Sequence, residues 1–139
     1  MIVIPSVGMV AALRSILNKV SGLQEPFTLK LYSNNRTPAN NDVIGDYTEV
    51  SGGGYADIDL DTDDITVTAG APSVALYDSF LTFTFTGATD APGTVYGYYI
   101  IDVNNVLFIA ERFPDPVPFT PNNGSIIRVK PRITGTYEV

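Results

Sequence analysis

From Pro26 onward the chain keeps a hydrophobic period of two, interrupted at intervals of about ten residues by glycine, proline or asparagine, the pattern of an all-β protein with short strands. Phe27, Leu29 and Leu31 alternate with Thr28, Lys30 and Tyr32, and Leu81, Phe83 and Phe85 alternate with Thr82, Thr84 and Thr86. Each set predicts a strand with one buried face. Further strands are predicted over Tyr47–Val50, Tyr55–Leu60, Ile65–Thr68, Val74–Tyr77, Ser125–Val129 and Ile133–Tyr137, the last two interrupted at Pro131. Gly52-Gly53-Gly54 predicts a bulge or a sharp corner, and Asn123-Gly124 a tight turn. The four prolines between Pro114 and Pro121 predict a loop, because proline removes a ladder donor.

The stretch Thr94–Phe113 departs from simple alternation. Val95-Tyr96-Gly97-Tyr98-Tyr99-Ile100-Ile101 and Val106-Leu107-Phe108-Ile109-Ala110 are apolar at consecutive positions, joined by Asp102-Val103-Asn104-Asn105. This predicts a hairpin apolar on both faces, which must be covered on both, inside a sandwich or against another subunit.

Upstream, the period is that of a helix over Val7–Val20. Val10, Leu13, Leu17 and Val20 form one stripe, with Ser6 as N-cap and Gly22 as stop. The stripe is too short for an independent coiled coil. It packs either on its own domain or on a neighbouring subunit. The expected organisation is an N-terminal arm and helix (1–25) followed by a single domain (26–139). The expected fold is mainly β, an antiparallel β-sandwich or jelly-roll-like barrel of eight to ten strands.

Composition narrows the chemistry. Of the 139 residues, 45% are hydrophobic and 17% charged; an ordinary soluble domain has roughly 25% charged residues. The apolar surplus predicts that other chains cover part of the surface. There is no cysteine and no histidine. That removes disulfides, thiolate nucleophiles and the commonest general base and metal ligand, fits assembly in a reducing cytosol, and weighs against most hydrolases and redox enzymes. No cofactor is expected. The net charge of −7 opposes direct contact with nucleic acid or anionic lipid. No run reaches the ~18 apolar residues of a membrane span. The first positive charge is Arg14, so no signal peptide is expected.

Asp57, Asp59, Asp61, Asp63 and Asp64 form the one dense charge cluster. The D-x-D-x-D spacing matches the start of an EF-hand loop, but the sixth position is not glycine and the twelfth is Thr68, so an EF-hand is rejected. Two readings remain for the carboxylates: a solvated outer face, with Ile58 and Leu60 turned inward, or a different calcium site on Asp57, Asp59 and Asp61. Arg128 and Lys130 alternate in the same way around Val129, with Arg132 beyond. A third reading sets this basic strand opposite the acidic one, within a chain or between chains, as a selector of register and partner. Glu111 and Arg112 are expected to face opposite ways, one at a rim and one in a salt bridge. A carboxylate-only glycosidase would need Glu111 near a second acid such as Asp102 or Asp115. Tyr96, Tyr98 and Tyr99 would serve either as core and interface residues or as a sugar-stacking face.

Several segments occur in a distinctive order: Phe27-Thr28-Leu29-Lys30-Leu31-Tyr32-Ser33-Asn34-Asn35 with Pro38, Tyr47-Thr48-Glu49, Gly53-Gly54-Tyr55-Ala56, Phe83-Thr84-Phe85-Thr86-Gly87, Val95-Tyr96-Gly97-Tyr98-Tyr99 and Ala110-Glu111-Arg112-Phe113. In these, and in the Ile-Pro near the start followed by a short helix, the chain resembles small virion proteins of tailed phages, the capsid cement or decoration proteins. The resemblance spans nearly the whole chain. It departs after Tyr55-Ala56, where many relatives continue with neutral polar strands and this chain carries the Asp57–Asp64 cluster. It implies a non-enzymatic β-rich protein on the outer surface of the capsid, bound to the major capsid protein and commonly a homotrimer, assembled in the host cytoplasm. On that reading Val10, Leu13, Leu17, Tyr96, Tyr98, Arg128 and Lys130 are the interface candidates. The competing expectation is a tail-fibre or baseplate-associated module that binds host surface glycan through the tyrosines or the Ser33–Asp42 loop.

Overall fold

The computed structural model describes residues 2–8, 23–60, 65–69, 73–87, 93–119 and 125–135. Ten strands occur among them: β1 (Ile2–Val3), β2 (Phe27–Tyr32), β3 (Ile58–Leu60), β4 (Ile65–Thr68), β5 (Ser73–Tyr77), β6 (Leu81–Phe85), β7 (Gly93–Ile101), β8 (Leu107–Phe119), β9 (Ser125–Val129) and β10 (Arg132–Gly135). All pairings between them are antiparallel. They form a five-stranded sheet in the order β1-β8-β7-β2-β3, a three-stranded sheet β10-β5-β4 and the pair β6-β9. The mainly β, sandwich-like architecture is the one the hydrophobic pattern calls for; the strands do not close into a barrel among the described residues. Ser6–Gly8 are helical. The rest of the expected helix, with Val10, Leu13, Leu17 and Val20, lies outside the described residues, as do Asp61, Asp63, Asp64 and the Asn123-Gly124 turn.

The β7–β8 hairpin is the centre of the large sheet, and register explains its two apolar faces. Tyr98 stands opposite Glu111 and Ile100 opposite Ile109, while Tyr99 stands opposite Ala110. Side chains of one parity, Leu29, Leu31, Tyr98, Ile100 and Ile109, pack with Phe83, Phe85, Ile127, Val129 and Tyr77 from the smaller sheets. Those of the other parity, Tyr32, Tyr99, Ile101, Leu107 and Ala110, pack with Tyr47 from the chain that follows β2. Both coats therefore come from the same polypeptide. Between the large sheet and the three-stranded one lies an apolar cavity of about 90 Å³, lined by residues that include Phe27, Ala75, Ile100, Phe108 and Ile133. Such a lining offers water no hydrogen-bond partner.

Three expectations need correction. Tyr47–Val50 is not a strand; it crosses the large sheet as a loop with a single isolated β-bridge to it, Tyr32 to Glu49. The strand expected over Tyr55–Leu60 begins only at Ile58. Pro114–Phe119, expected as a loop, continues β8. Val95 pairs with Val117 and Gly97 with Arg112, so Phe113, Pro114, Asp115 and Pro116 bulge out opposite Tyr96 alone. Pro114 and Pro116 lie in that bulge, outside the ladder, and Pro118 stands opposite Thr94. β1 reaches only Glu111 and Ala110, so the outer edge beyond Arg112 has no strand to pair with among the described residues. An edge and a bulge are where proline is tolerated.

The turn Asp102–Asn105 is built by a buried carboxylate. Asp102 accepts hydrogen bonds from the amides of Asn104 (2.9 Å) and Val106 (2.8 Å) on one oxygen and from Gln24 (3.2 Å) on the other. Asn105 takes a left-handed φ of 60°, a conformation asparagine adopts more readily than most residues. The same acid thus closes the hairpin and ties the chain leading into β2 to it.

At Gly97 the sheet is closed to any side chain. A methyl group there would overlap the Glu111 carbonyl oxygen and stand 2.7 Å from the Tyr32 hydroxyl oxygen and 2.8 Å from its ring. Gly97→Ala should therefore lower stability by roughly 2–3 kcal/mol, the scale of overpacking in a tight core. Urea denaturation checks this; an unchanged midpoint would show that Tyr32 moves aside freely.

Candidate functional site

The coat over the second face of the hairpin is the densest polar assembly among the described residues. It is made by residues 33–50, folded back across β2, β7 and β8. Ser33 N–H donates to the Thr48 carbonyl (2.8 Å) and Val50 N–H to the Leu31 carbonyl (3.0 Å), so the two ends of the loop are stitched together. Asn34 bridges the interior: its amide nitrogen donates to the Asp46 carbonyl and its oxygen accepts from Thr48 N–H, both at 2.8 Å.

Asp42 sits at the centre, 0% exposed. One of its oxygens accepts from the Tyr47 hydroxyl (2.7 Å), the Ala39 amide (3.0 Å) and Arg36 Nε (3.2 Å). The other is held by Arg36 Nη2. Burial by itself would disfavour the charge, but the bonds from Arg36, Tyr47 and Ala39 outweigh it and hold the carboxyl below the usual aspartate value. The Tyr47 ring packs edge-on against Tyr32 (5.0 Å between centroids) and stacks on Tyr99 (5.3 Å). Tyr32 in turn donates to the Arg36 carbonyl (3.2 Å), which also accepts from Arg112 Nη1 (3.0 Å). Arg112 lies over the Tyr96 ring, 4.8 Å from its centroid.

Burial pushes the Tyr32 phenol up to about 12 and raises Tyr47 and Tyr99 as well. At neutral pH these hydroxyls are protonated donors. The arrangement therefore clamps a loop onto a sheet by charge-assisted hydrogen bonds.

The sequence-level candidates are dispersed by the fold. Tyr98 and Tyr99 point to opposite faces and each is 2% exposed, so with Tyr96 they make no shared sugar-stacking face. Tyr98 is not a surface for another subunit either: it lies in the core and donates to Glu111 Oε2 at 2.5 Å. Tyr96 is half-buried beneath Arg112. Glu111 and Asp102 lie at different heights of the hairpin, about 13 Å apart along the strand at ~3.3 Å per residue, beyond the separations that glycosidase acid pairs use. Asp115 is exposed in the bulge.

Asp57 is bound by Lys30 (3.1 Å), which also bridges to Glu49 (3.0 Å), and Asp59 accepts from the Thr28 hydroxyl (3.1 Å). No three acids come close enough to hold a metal ion among the described residues. Within the chain the basic strand does not face the acidic one: Arg128 in β9 pairs with Thr82, whereas Asp59 in β3 pairs with Thr28. Lys130 instead donates to the Asp78 carbonyl (3.0 Å), beside the Phe80 ring.

Sequence reasoning placed Arg36 and Asp42 in the Ser33–Asp42 loop and Tyr47 in an expected strand, and did not bring the three together.

An open groove of about 500 Å³ runs beside the glycine corner, lined by Glu49, Val50, Ser51, Gly52, Tyr55, Ala56 and Asp57. Gly52, Gly53 and Gly54 all have left-handed φ (74°, 60° and 75°), and the Gly53 carbonyl accepts from Thr86 N–H at 2.7 Å. The corner turns Tyr55 inward, where it stacks on Phe83 and Phe85 (5.8 and 6.2 Å) and its hydroxyl accepts from Leu31 N–H at 3.0 Å. No helix among the described residues is long and apolar enough to cross a membrane. No protein-family model, curated protein or solved structure matches the chain.

Replacing Asp42 by Asn should destabilise the fold by roughly 2–3 kcal/mol at neutral pH, the cost of losing charge-assisted bonds and stranding a buried donor. Because the folded-state pKa of Asp42 is depressed, its contribution is complete above the unfolded value of ~3.9 and is lost as pH falls through the folded value. The gap between wild type and Asp42→Asn in chemical denaturation should therefore shrink between pH 7 and pH 3. An equal gap at both pH values would show that the charge of Asp42 is not what holds the loop.

Proposed function

We propose that this chain is a non-enzymatic cement, or decoration, protein of a tailed-phage capsid, which binds the outer surface of the head, associates with itself and bridges major capsid subunits. The observation that carries the reading is apolar surface left over after the core is complete. Both faces of the hairpin are covered from within the chain, yet Val67 is 71% exposed, and Phe80, Ile126 and Val43 are exposed too. Surface of this kind suits a protein that finishes its burial against neighbours. The likeness of the ordered segments to cement proteins supplies the identity of those neighbours. Each copy would add a modest contact, and many copies on one shell would add up to a large resistance to the pressure of packaged genome.

A second reading, a tail-associated module that binds host glycan, draws on the groove beside Glu49, Ser51 and Asp57, where carboxylates and a hydroxyl stand next to open backbone. Immunogold labelling of intact particles separates the two. The cement reading expects gold on the head, and heads lacking the protein that release DNA at a lower temperature than complete ones. Gold confined to the tail, or unchanged head stability, would overturn it and turn attention to the groove.

A further inference from the structure

The three-stranded sheet ends in two unlike edges. β10 and β4 both pair antiparallel with β5, so they run in the same direction along its two sides. Their levels match: Arg132 and Thr66 both register with Leu76, and Ile133 and Val67 both with Ala75. Neither outer edge is paired to another strand among the described residues. β4 is Ile-Thr-Val-Thr, four β-branched residues, all exposed, with no charge and no proline. Natural edge strands are ordinarily protected by Lys, Pro, a bulge or a covering loop. Val67 lies on the same face as Ala75 and Ile133, which line the apolar cavity, but it overhangs that face uncovered.

The sequences that lead into the two strands carry opposite charge. Directly before β4 the sequence is Asp61-Thr62-Asp63-Asp64; directly before β10, after β9 ends at Val129, it is Lys130-Pro131, with Arg132 the first residue of β10. The sequence leaving β4, Ala69-Gly70-Ala71-Pro72, is uncharged, and that leaving β10, Thr136-Tyr137-Glu138, carries no basic residue.

We propose that β4 of one copy pairs with β10 of the next, parallel and head to tail, so that the three-stranded sheets of successive copies join into a closed ring. Parallel pairing brings the acidic lead of one strand beside the basic lead of the other. A twofold pairing of β4 with itself would run antiparallel and set each acidic lead against a neutral end, leaving the basic leads unused. Head-to-tail contacts close when the rotation between copies allows it, and a trimer is one such closure. This deepens the self-association within the proposed function, names the surface that would carry it, and rests on that part of the reading.

A complementation experiment on the full chain tests it. Val67→Lys blocks the β4 edge and Arg132→Glu reverses the β10 edge; both residues are exposed, so circular dichroism should show each variant folded as wild type. By light scattering, the wild type should have the mass of three or more chains and each variant alone the mass of one. An equimolar mixture should give a dimer, because one intact β4 edge and one intact β10 edge remain between the two variants. A monomeric wild type, an Arg132→Glu variant that dimerises by itself, or a mixture that stays monomeric would each overturn the head-to-tail contact. A monomer that still binds heads would sink the ring and leave the cement reading standing; a ring found only on tails would do the reverse.

Discussion

A hairpin with two apolar faces has no stable place in water until something lies on each of them, and the rest of this molecule is arranged around that requirement. A fully buried side chain of the size of Leu, Ile or Phe contributes about 1.5–3 kcal/mol. Either face of β7–β8, with the β2 residues beside it, holds several such groups, so uncovering one face would forfeit an amount comparable with the ~5–15 kcal/mol of a whole domain. The first face is met by strands of the smaller sheets, where alternation supplies Phe83, Phe85, Ile127 and Val129 at the right period. The second is met by a loop, and a loop brings a difficulty that a strand does not. Its backbone polar groups have no ladder to join, and buried without partners they would cost more than the coat returns.

Asp42, Asn34 and Arg36 resolve that difficulty locally. Asn34 pairs with both the Asp46 carbonyl and the Thr48 amide, Asp42 takes up the Ala39 amide, and the Arg36 carbonyl receives Tyr32 and Arg112. Polar groups of the loop thereby meet one another or the sheet, and the tyrosine rings can lie flat against β7. The close approach is possible because position 97 has no side chain, so Tyr32 passes across the strand there. The buried charge, the ring stack and the glycine are parts of one device, and loss of any of them would lift the coat.

Much of this was legible in the chain. The strands over Phe27–Tyr32, Leu81–Phe85 and the hairpin follow from period and composition, and the demand that the hairpin be covered twice follows from its consecutive apolar positions. What covers the second face was not legible, since nothing in a run of Ser, Asn, Pro and Asp distinguishes a solvated loop from one folded onto a sheet. That outcome depends on Asp42 meeting Arg36 and Tyr47 in three dimensions. The prolines of β8 misled for a related reason. Proline forbids a central strand, and whether a strand is central depends on what lies beside it. Here the bulge at Phe113–Pro116 and the short reach of β1 leave that edge open.

Segments far apart in the sequence touch each other: Tyr55 with Phe83 and Phe85, Gly53 with Thr86, Lys30 with Glu49, Tyr98 with Glu111, and Arg112 with Tyr96. They describe a framework. A framework of this kind tells what the protein is built to hold in place, and the way its edges are finished tells where it stops. The part of β8 beyond the reach of β1 carries Pro114, Pro116 and Pro118, which have no N–H to offer a further strand. The edge of β2 beyond β3 is closed by the Tyr55 hydroxyl and the Val50 amide, which take both polar groups of Leu31. β4 has neither device, and the acidic run ending at Asp64 stands directly before it in sequence. An edge left plain and preceded by charge is a part of the surface on which selection for a specific neighbour can act.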